Sequence, residues 1–220
     1  RTTSASPWLA ILARLVCYMV SSVAERSILK FHIPPHVESR LISYGITELW
    51  VPQVEAVDKG LLRGNNIVYS TRTATGKSLL AYLRAGYASV DQKVIYIVPT
   101  RTLADEAFKT LTDLIDTHQT PIAISTRERT EFDDKISKCA IVTATYEKFD
   151  SLLKQNKINE ADIKCLIADE VHFISNRDRG IPLEFILTKM KRKVGAGDPE
   201  IVALSAMISA EDAKQMASWL

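Results

Sequence analysis

Short apolar stretches recur along the chain between residues 67 and 204, and segments with helical periodicity separate most of them. Each stretch is apolar at consecutive positions, which is typical of strands covered on both faces of a sheet. The predicted strands are residues 67–69, 94–98, 122–125, 140–143, 165–168 and 201–204. The predicted helices among them are residues 77–88, 102–116, 146–154 and 183–192. This alternation predicts an α/β domain with a doubly wound, mostly parallel sheet and helices on both faces.

Two further helices are predicted upstream of the sheet, over residues 36–44 and 53–62. Before them, Pro34 and Pro35 mark a linker, because proline interrupts helices. Residues 7–23 are strongly apolar at helical spacing, which predicts an amphipathic helix that packs on a partner surface. This segment contains Arg14 and is shorter than the ~20 residues that cross a bilayer, so no membrane contact is expected. We therefore divide the chain into an N-terminal helix and linker, residues 1–35, and one domain, residues 36–220; the sequence leaves open whether residues 1–30 are native.

The composition is that of an ordinary globular domain: 220 residues, 46% hydrophobic and 25% charged, with a net charge of +2. This length suffices for one substantial core. Because the charge is nearly neutral, any nucleic-acid binding must rest on local residues. Cys17, Cys139 and Cys165 are far apart and form no CxxC pair, so we expect no metal site or disulfide framework and favour a reducing cytoplasm.

A phosphate-binding loop is predicted between the first strand and the helix that follows it. Its sequence is Thr71-Arg72-Thr73-Ala74-Thr75-Gly76-Lys77-Ser78. A phosphate needs inward backbone N–H groups, the positive N-terminus of a helix and a cation, and this loop can supply all three. Lys77 is predicted to bind the β- and γ-phosphates, and the Ser78 hydroxyl to bind Mg²⁺. Thr71 stands where the consensus loop has its first glycine.

Two acids follow the strand at residues 165–168. Asp169 is predicted to hold Mg²⁺ through water, and Glu170 to act as the general base on the attacking water. A GTPase would need a guanine-reading Asn-Lys-x-Asp tetrapeptide, which does not occur in the sequence. The two motifs together predict an ATP site at the carboxyl edge of the sheet.

With these motifs in place, the chain resembles the DExH-box helicases of superfamily 2, and most closely the Ski-type branch that contains the archaeal Hjm-type repair helicases. The resemblance covers residues 39–220 and implies a RecA-like P-loop NTPase domain, the first of two, that uses ATP and Mg²⁺. Gly45-Ile46-Thr47-Glu48-Leu49-Trp50-Val51-Pro52-Gln53 resembles the Q motif, which implies that Gln53 reads adenine. The loop Thr73-Ala74-Thr75-Gly76-Lys77-Ser78 matches the Ski-type phosphate loop, which implies that all six residues bind nucleotide.

Further motifs imply nucleic-acid contacts and coupling. Motif Ia, at residues 99–106, contains Arg101 and Thr102, and motif Ib, at residues 143–148, contains Thr143 and Thr145. The resemblance implies that these four residues contact phosphates of the strand. In Asp169-Glu170-Val171-His172, His172 is implied to link the nucleotide site to motif III, Ser205-Ala206-Met207. Met207 stands where threonine is usual. Its thioether is only a weak hydrogen-bond acceptor, so a polar link between the two sites is in doubt.

The resemblance implies an ATP-dependent DNA helicase or translocase that moves on single-stranded DNA and unwinds branched or forked DNA. An RNA helicase of the same branch and a degenerate nucleotide-gated nucleic-acid-binding module are the alternatives. We expect a second RecA-like domain, which supplies an arginine to the γ-phosphate, to be the main protein partner. Without it, this chain is expected to bind nucleotide modestly and to hydrolyse it slowly. We expect a cytoplasmic protein, associated with the nucleoid if its source is archaeal.

Overall fold

A computed structural model describes residues 26–71, 76–130, 134–176, 179–191 and 198–220. Within these ranges, six parallel strands form one sheet in the order β1-β6-β5-β2-β4-β3. The strands are β1 (Ile67–Ser70), β2 (Lys93–Val98), β3 (Ile122–Ser125), β4 (Ile141–Thr145), β5 (Ile163–Ala168) and β6 (Glu200–Ser205). The helices are α1 (Pro35–Ser43), α2 (Val51–Asp58), α3 (Lys77–Ala85), α4 (Arg101–Leu114), α5 (Tyr146–Lys154), α6 (Gly180–Lys191) and α7 (Ala210–Trp219).

The predicted fold class is confirmed, and the differences lie at the ends of elements. Helix α2 stops at Asp58, earlier than the predicted residue 62, because Gly60 adopts a left-handed conformation with φ 103° and a short 3-10 turn follows. Strand β4 continues to Thr145 because Thr145 pairs with Val98 of β2. Helix α1 includes Pro35, which was predicted as linker, because proline is well tolerated in the first turn of a helix.

Two apolar clusters cover the two faces of the sheet. Along β2, Tyr96 belongs to one cluster and Ile95 and Ile97 to the other, since successive side chains of a strand point to opposite faces. The first cluster includes residues of α1, α3 and α4, and the second includes residues of α5 and α6. All six positions of β2 are buried, which explains the continuous apolar sequence from Val94 to Val98.

Residues 26–35, which the sequence analysis places before the domain, pack onto it. Ser27 forms an antiparallel bridge with Glu48, and Ile28 is fully buried in the core. The predicted apolar helix over residues 7–23 lies outside the described residues. In the ranges that the structure does describe, no helix combines the length and the apolar character that crossing a membrane requires.

The strand order places the functional loops together. Strand β6 lies between β1 and β5, with Tyr69 beside Leu204 and Ile167 beside Val202. The loops that follow β1 and β5 therefore flank the end of β6 at one edge of the sheet. Open parallel sheets bind ligands at this carboxyl edge.

Candidate nucleotide-binding site

The start of α3 provides the predicted phosphate lysine. Gly76 has a left-handed φ of 67°, which favours glycine, and a Cβ at this position would also meet the amide of Gln53. Lys77 is the first residue of the helix and is largely buried. Backbone N–H groups and the helix dipole at such an N-terminus favour an anion. Thr73, Ala74 and Thr75 of the predicted loop lie outside the described residues.

The predicted acidic pair converges with this lysine. Nζ of Lys77 lies 3.0 Å from Oε1 of Glu170, and Asp169 directly follows β5. Glu170 adopts a left-handed backbone conformation with φ 54° and ψ 44°, which is unusual for a residue with a Cβ. Lys77 and the acidic pair therefore share one edge of the sheet, as the sequence analysis requires.

Asp169 is held in place by two hydrogen bonds. The hydroxyl of Tyr96 donates to Oδ2 at 2.7 Å, and the backbone N–H of Glu170 donates to Oδ1 at 2.8 Å. Burial raises the pKa of Asp169, while the hydrogen bond from Tyr96 and the nearby Lys77 ammonium act in the lowering direction. Both hydrogen bonds favour the charged carboxylate over the neutral acid.

A second tyrosine, Tyr146, supports the backbone of the acidic pair. It is fully buried, and its hydroxyl donates to the carbonyl oxygen of Asp169 and lies 3.3 Å from that of Glu170. Burial, together with the charges of Asp169 and Glu170, raises the pKa of Tyr146, so its hydroxyl stays protonated and can donate. Tyr96 and Tyr146 are not among the residues predicted for the site; the signal that could have found them is a hydroxyl within, or just after, an apolar strand.

The carboxylate of Glu170 is only half satisfied. Its Oε2 is buried, and although Nδ1 of His172 lies 3.2 Å away, Oε2 forms no hydrogen bond with the part of the chain that the structure describes. A buried, unbonded carboxylate oxygen is costly, so it favours a further donor at this point. A water molecule to be activated by Glu170 would be such a donor.

His172 and motif III meet at Ser205. Oγ of Ser205 lies 3.3 Å from Nδ1 of His172 and accepts the backbone N–H of Met207 at 3.1 Å. Met207 is 77% exposed, and the hydrogen bond that it makes in this group comes from its backbone N–H. The coupling role of these three residues stays a prediction, although two of its links are present.

Gln53 contacts the end of the phosphate loop at Gly76. Its Oε1 accepts the N–H of Trp50 at 2.8 Å, and its Nε2 donates to the carbonyl of Gly76 at 3.0 Å. Beside it lies a cavity of about 420 Å³, whose lining includes Ile46 and Leu79. This cavity adjoins the loop where an adenine is expected, but the reading of adenine by Gln53 stays a prediction.

The residues present fit Mg²⁺ bound together with a triphosphate. The hydroxyl of Ser78 and the carboxylate of Asp169 are hard oxygen donors, which Mg²⁺ prefers. Among the described residues, no group of three or more His, Cys, Asp and Glu side chains could hold a metal ion. Mg²⁺ commonly binds through one or two protein oxygens plus substrate phosphates and waters, so this small donor set suits it.

Two of the four predicted nucleic-acid residues lie in one groove. Arg101, at the start of α4, and Thr145, which caps α5, line an open groove of about 660 Å³ together with Arg127 and Lys148. Arg127 was missed by the sequence analysis, because an arginine in a polar loop gives no motif signal.

Two further observations concern this groove. Arg101 forms an ion pair with Glu128, and Thr102 is exposed on α4 beside it. Thr143 requires a correction: it is fully buried inside β4, and its hydroxyl donates to the carbonyl of Ala123 at 3.3 Å. The physical reason is that β4 runs two residues beyond its predicted end, so Thr143 lies in the interior of the sheet and not at its edge.

Comparisons with known proteins agree with this arrangement. Residues 51–216 match the DEAD/DEAH box helicase family. The ATP-dependent DNA helicase Hel308 of Pyrococcus abyssi is 36% identical over 193 residues, which are 87% of this chain and 26% of that protein. Hel308 of Methanocella arvoryzae is 35% identical over 199 residues, 88% of this chain and 26% of that protein. The chain therefore spans about a quarter of the length of these relatives.

Two solved structures share this fold. A DEAD box protein from the hyperthermophile Methanococcus jannaschii superposes with a TM-score of 0.74 at 18% identity, over 89% of this chain and 54% of that one. S. cerevisiae Dbp5 bound to RNA and ADP BeF3 superposes with a TM-score of 0.75 at 16% identity, over 88% and 49%. The resemblance inferred from the motifs is confirmed: this chain belongs to the DEAD/DEAH box helicase family.

Proposed function

We propose that this chain is the ATP-binding first RecA-like domain of an ATP-dependent DNA helicase or translocase, which moves on single-stranded DNA and unwinds branched or forked DNA. The observation that carries the proposal is the convergence of Lys77 and Glu170, 3.0 Å apart at the carboxyl edge of the sheet. The choice of DNA follows the relatives of 35–36% identity, which are DNA helicases.

The nucleotide would bind between the start of α3 and the cavity beside Gln53. Lys77 would leave Glu170 to contact the β- and γ-phosphates, and Gly76 would let the backbone approach them closely. Ser78 and Asp169 would hold Mg²⁺, which when bound neutralises charge on the phosphate oxygens. Tyr96 would keep the Asp169 carboxylate charged and oriented toward this position.

Hydrolysis needs a base next to the attacking water. Glu170, once released by Lys77, would accept the proton of that water; its Oε2, which has no hydrogen bond within the described residues, is the atom suited to this step. A second RecA-like domain would supply an arginine that stabilises the developing charge. By itself, this chain is therefore expected to bind nucleotide and to hydrolyse it slowly.

Arg101, Thr102 and Thr145 would hold phosphates of a single strand in the groove at the starts of α4 and α5. Contacts of this kind position the strand without reading its sequence. We place the protein in the cytoplasm, at the nucleoid if its source is archaeal.

A second candidate is a nucleotide-gated binding module whose motor has degenerated. The exposed Met207 favours it, because the threonine hydroxyl usual in motif III is replaced by a thioether, which cannot donate a hydrogen bond. Such a module would bind nucleotide and nucleic acid with little turnover.

The ATPase rate of the full-length protein, measured with no nucleic acid, with single-stranded DNA and with RNA of the same sequence, separates these functions. A DNA helicase is expected to hydrolyse ATP faster with DNA than with RNA, and Glu170→Gln should abolish both rates. Stimulation by RNA alone would favour an RNA helicase. ATP binding without stimulated turnover would favour the degenerate module and overturn the proposal.

A further inference from the structure

Tyr146 joins the proposed nucleic-acid groove to the proposed catalytic base. It is the first residue of α5 and directly follows Thr145, whose hydroxyl caps that helix by accepting the N–H of Lys148 at 3.4 Å. Its own hydroxyl contacts the carbonyls of Asp169 and Glu170. Tyr146 is buried beside the groove: its backbone directly follows Thr145, which lines the groove, and its side chain reaches the acidic pair.

The hydroxyl of Tyr146 acts on an unusual backbone conformation. Glu170 has φ 54° and ψ 44°, and the left-handed region is unfavourable for a residue with a Cβ. The two carbonyls that Tyr146 contacts belong to the peptide groups immediately before and after the Cα of Glu170. The hydroxyl donates to the first of these carbonyls and lies 3.3 Å from the second, so one side chain contacts both peptide groups that set the direction of the Glu170 side chain.

Thr145 links the groove to the first turn of α5, which contains Tyr146. Thr145 pairs with Val98 of β2, and the helix that follows β2 begins with Arg101, which also lines the groove. A phosphate that contacts the N-terminus of α5 would act on Thr145 and the backbone N–H groups of the first turn. Tyr146 lies in that turn, so any shift of the turn moves its hydroxyl relative to Glu170.

We propose that Tyr146 is a positioning residue that couples occupancy of the nucleic-acid groove to the orientation of Glu170. The inference deepens the proposed function and rests on it. The ring of Tyr146 belongs to the apolar cluster beneath α5 and α6, and that part of its role is structural packing. Only the hydroxyl carries the coupling, which makes Tyr146→Phe the informative change, since phenylalanine keeps the ring.

The test is a binding cycle in the full-length protein. The affinity of a fluorescent, non-hydrolysable ATP analogue is measured with and without saturating single-stranded DNA, and the ratio of the two is the coupling factor. Couplings between sites are typically about 5- to 150-fold and are reciprocal. We expect a wild-type factor above about 5, and a factor below about 2 for Tyr146→Phe.

Kinetics provide a second readout. The kcat of DNA-stimulated hydrolysis is expected to fall about 10-fold in Tyr146→Phe, the loss that one hydrogen bond accounts for, with KM for ATP within about 2-fold of wild type. A matched control is Tyr87→Phe, because the Tyr87 hydroxyl also donates to a backbone carbonyl, that of His32, away from both sites. This control should keep the wild-type coupling factor and kcat.

The outcomes distinguish the two proposals. If Tyr146→Phe keeps the wild-type coupling factor, this inference is overturned and the proposed function stays intact. If the variant has a lower melting temperature and an unchanged coupling factor, the inference is also overturned, because the role of the hydroxyl is then structural only. A wild-type factor of about 1 overturns the inference, and absence of DNA-stimulated ATPase overturns the proposed function. If Tyr146→Phe fails to fold, amide exchange of wild-type residues 169–171 decides: slower exchange on DNA binding supports the coupling, and unchanged exchange overturns it.

Discussion

The ammonium of Lys77 lies 3.0 Å from Oε1 of Glu170, so the cation expected to bind phosphate is paired with the acid expected to act as the base. The pair is largely buried, with 9% of the Lys77 side chain and 21% of the Glu170 side chain exposed. A phosphate that binds Lys77 must therefore compete with a carboxylate. We therefore expect Lys77 to leave Glu170 when it binds the nucleotide phosphates, so that nucleotide binding also frees the base.

Glu170→Gln should bind nucleotide more tightly while losing turnover. The neutral amide competes less well for Lys77, so we expect affinity for an ATP analogue to rise about 5-fold, roughly the effect of weakening one charged hydrogen bond. Hydrolysis should fall at least about 100-fold, because the general base is removed. Fluorescence titration and an ATPase assay measure the two effects. Glu211→Gln, an exposed change on α7, is the control, and a lower nucleotide affinity in Glu170→Gln would contradict the proposed competition.

Gln53→Ala should weaken nucleotide binding by loosening the loop. The change removes the hydrogen bond to the Gly76 carbonyl and the acceptor for the Trp50 N–H, so we expect about 10-fold lower affinity. Titration with ATP and GTP analogues separates two roles. Equal losses indicate support of Gly76 alone, whereas a loss confined to ATP indicates that Gln53 reads adenine. The exposed Gln92→Ala should leave both affinities unchanged, and a wild-type affinity in Gln53→Ala would rule out either role.

Met207→Thr should strengthen the DNA-stimulated ATPase of the full-length protein. The threonine hydroxyl restores a polar group next to Ser205, whose Oγ already accepts the Met207 N–H and approaches His172. One added hydrogen bond predicts about a 2- to 10-fold increase in the stimulated rate. Met207→Leu, which adds no hydroxyl, should behave as wild type. Equal stimulation in both variants would show that the hydroxyl is unimportant.

Removing one member of the buried ion pair between Arg84 and Glu200 should destabilise the fold more, for each residue changed, than removing both members together. Nε of Arg84 donates to Oε2 of Glu200 at 2.7 Å, and Nζ of Lys164 lies 3.3 Å from the other carboxylate oxygen. Glu200→Leu alone should lower the free energy of unfolding by about 3–5 kcal/mol, because it leaves the buried charge of Arg84 unpaired. Arg84→Met alone should cost less, because Lys164 still pairs with Glu200.

A double-mutant cycle measured by urea unfolding tests this prediction. The double variant Arg84→Met, Glu200→Leu should lose clearly less than the sum of the single losses. Lys157→Met breaks the exposed pair with Asp134 and serves as a control with a much smaller effect. Additive losses at Arg84 and Glu200 would show that the two side chains do not act as a pair.

The sequence by itself determined the alternation of strands and helices and the chemistry at two strand ends. These signals are local. The continuous apolar runs within β2 and β6 indicate burial on both faces of the sheet. The Gly76-Lys77 motif at the start of a helix is recognised from adjacent residues, without knowledge of the strand order. Asp169 and Glu170 were found for the same reason, because they directly follow an apolar strand.

Only the tertiary structure decided which strand ends meet and which polar atoms are buried. The insertion of β6 between β1 and β5 depends on packing between residues that are distant in sequence, so periodicity carries no trace of it. The same holds for Thr143, which lies inside the sheet. It also holds for Tyr96, on the strand next to β5, and for Tyr146, which follows β4, one strand further away; their hydroxyls contact Asp169 and the backbone of the acidic pair. Hydrophobic pattern specifies which residues are buried, whereas the partner of each buried polar group is fixed by the long-range order of the sheet.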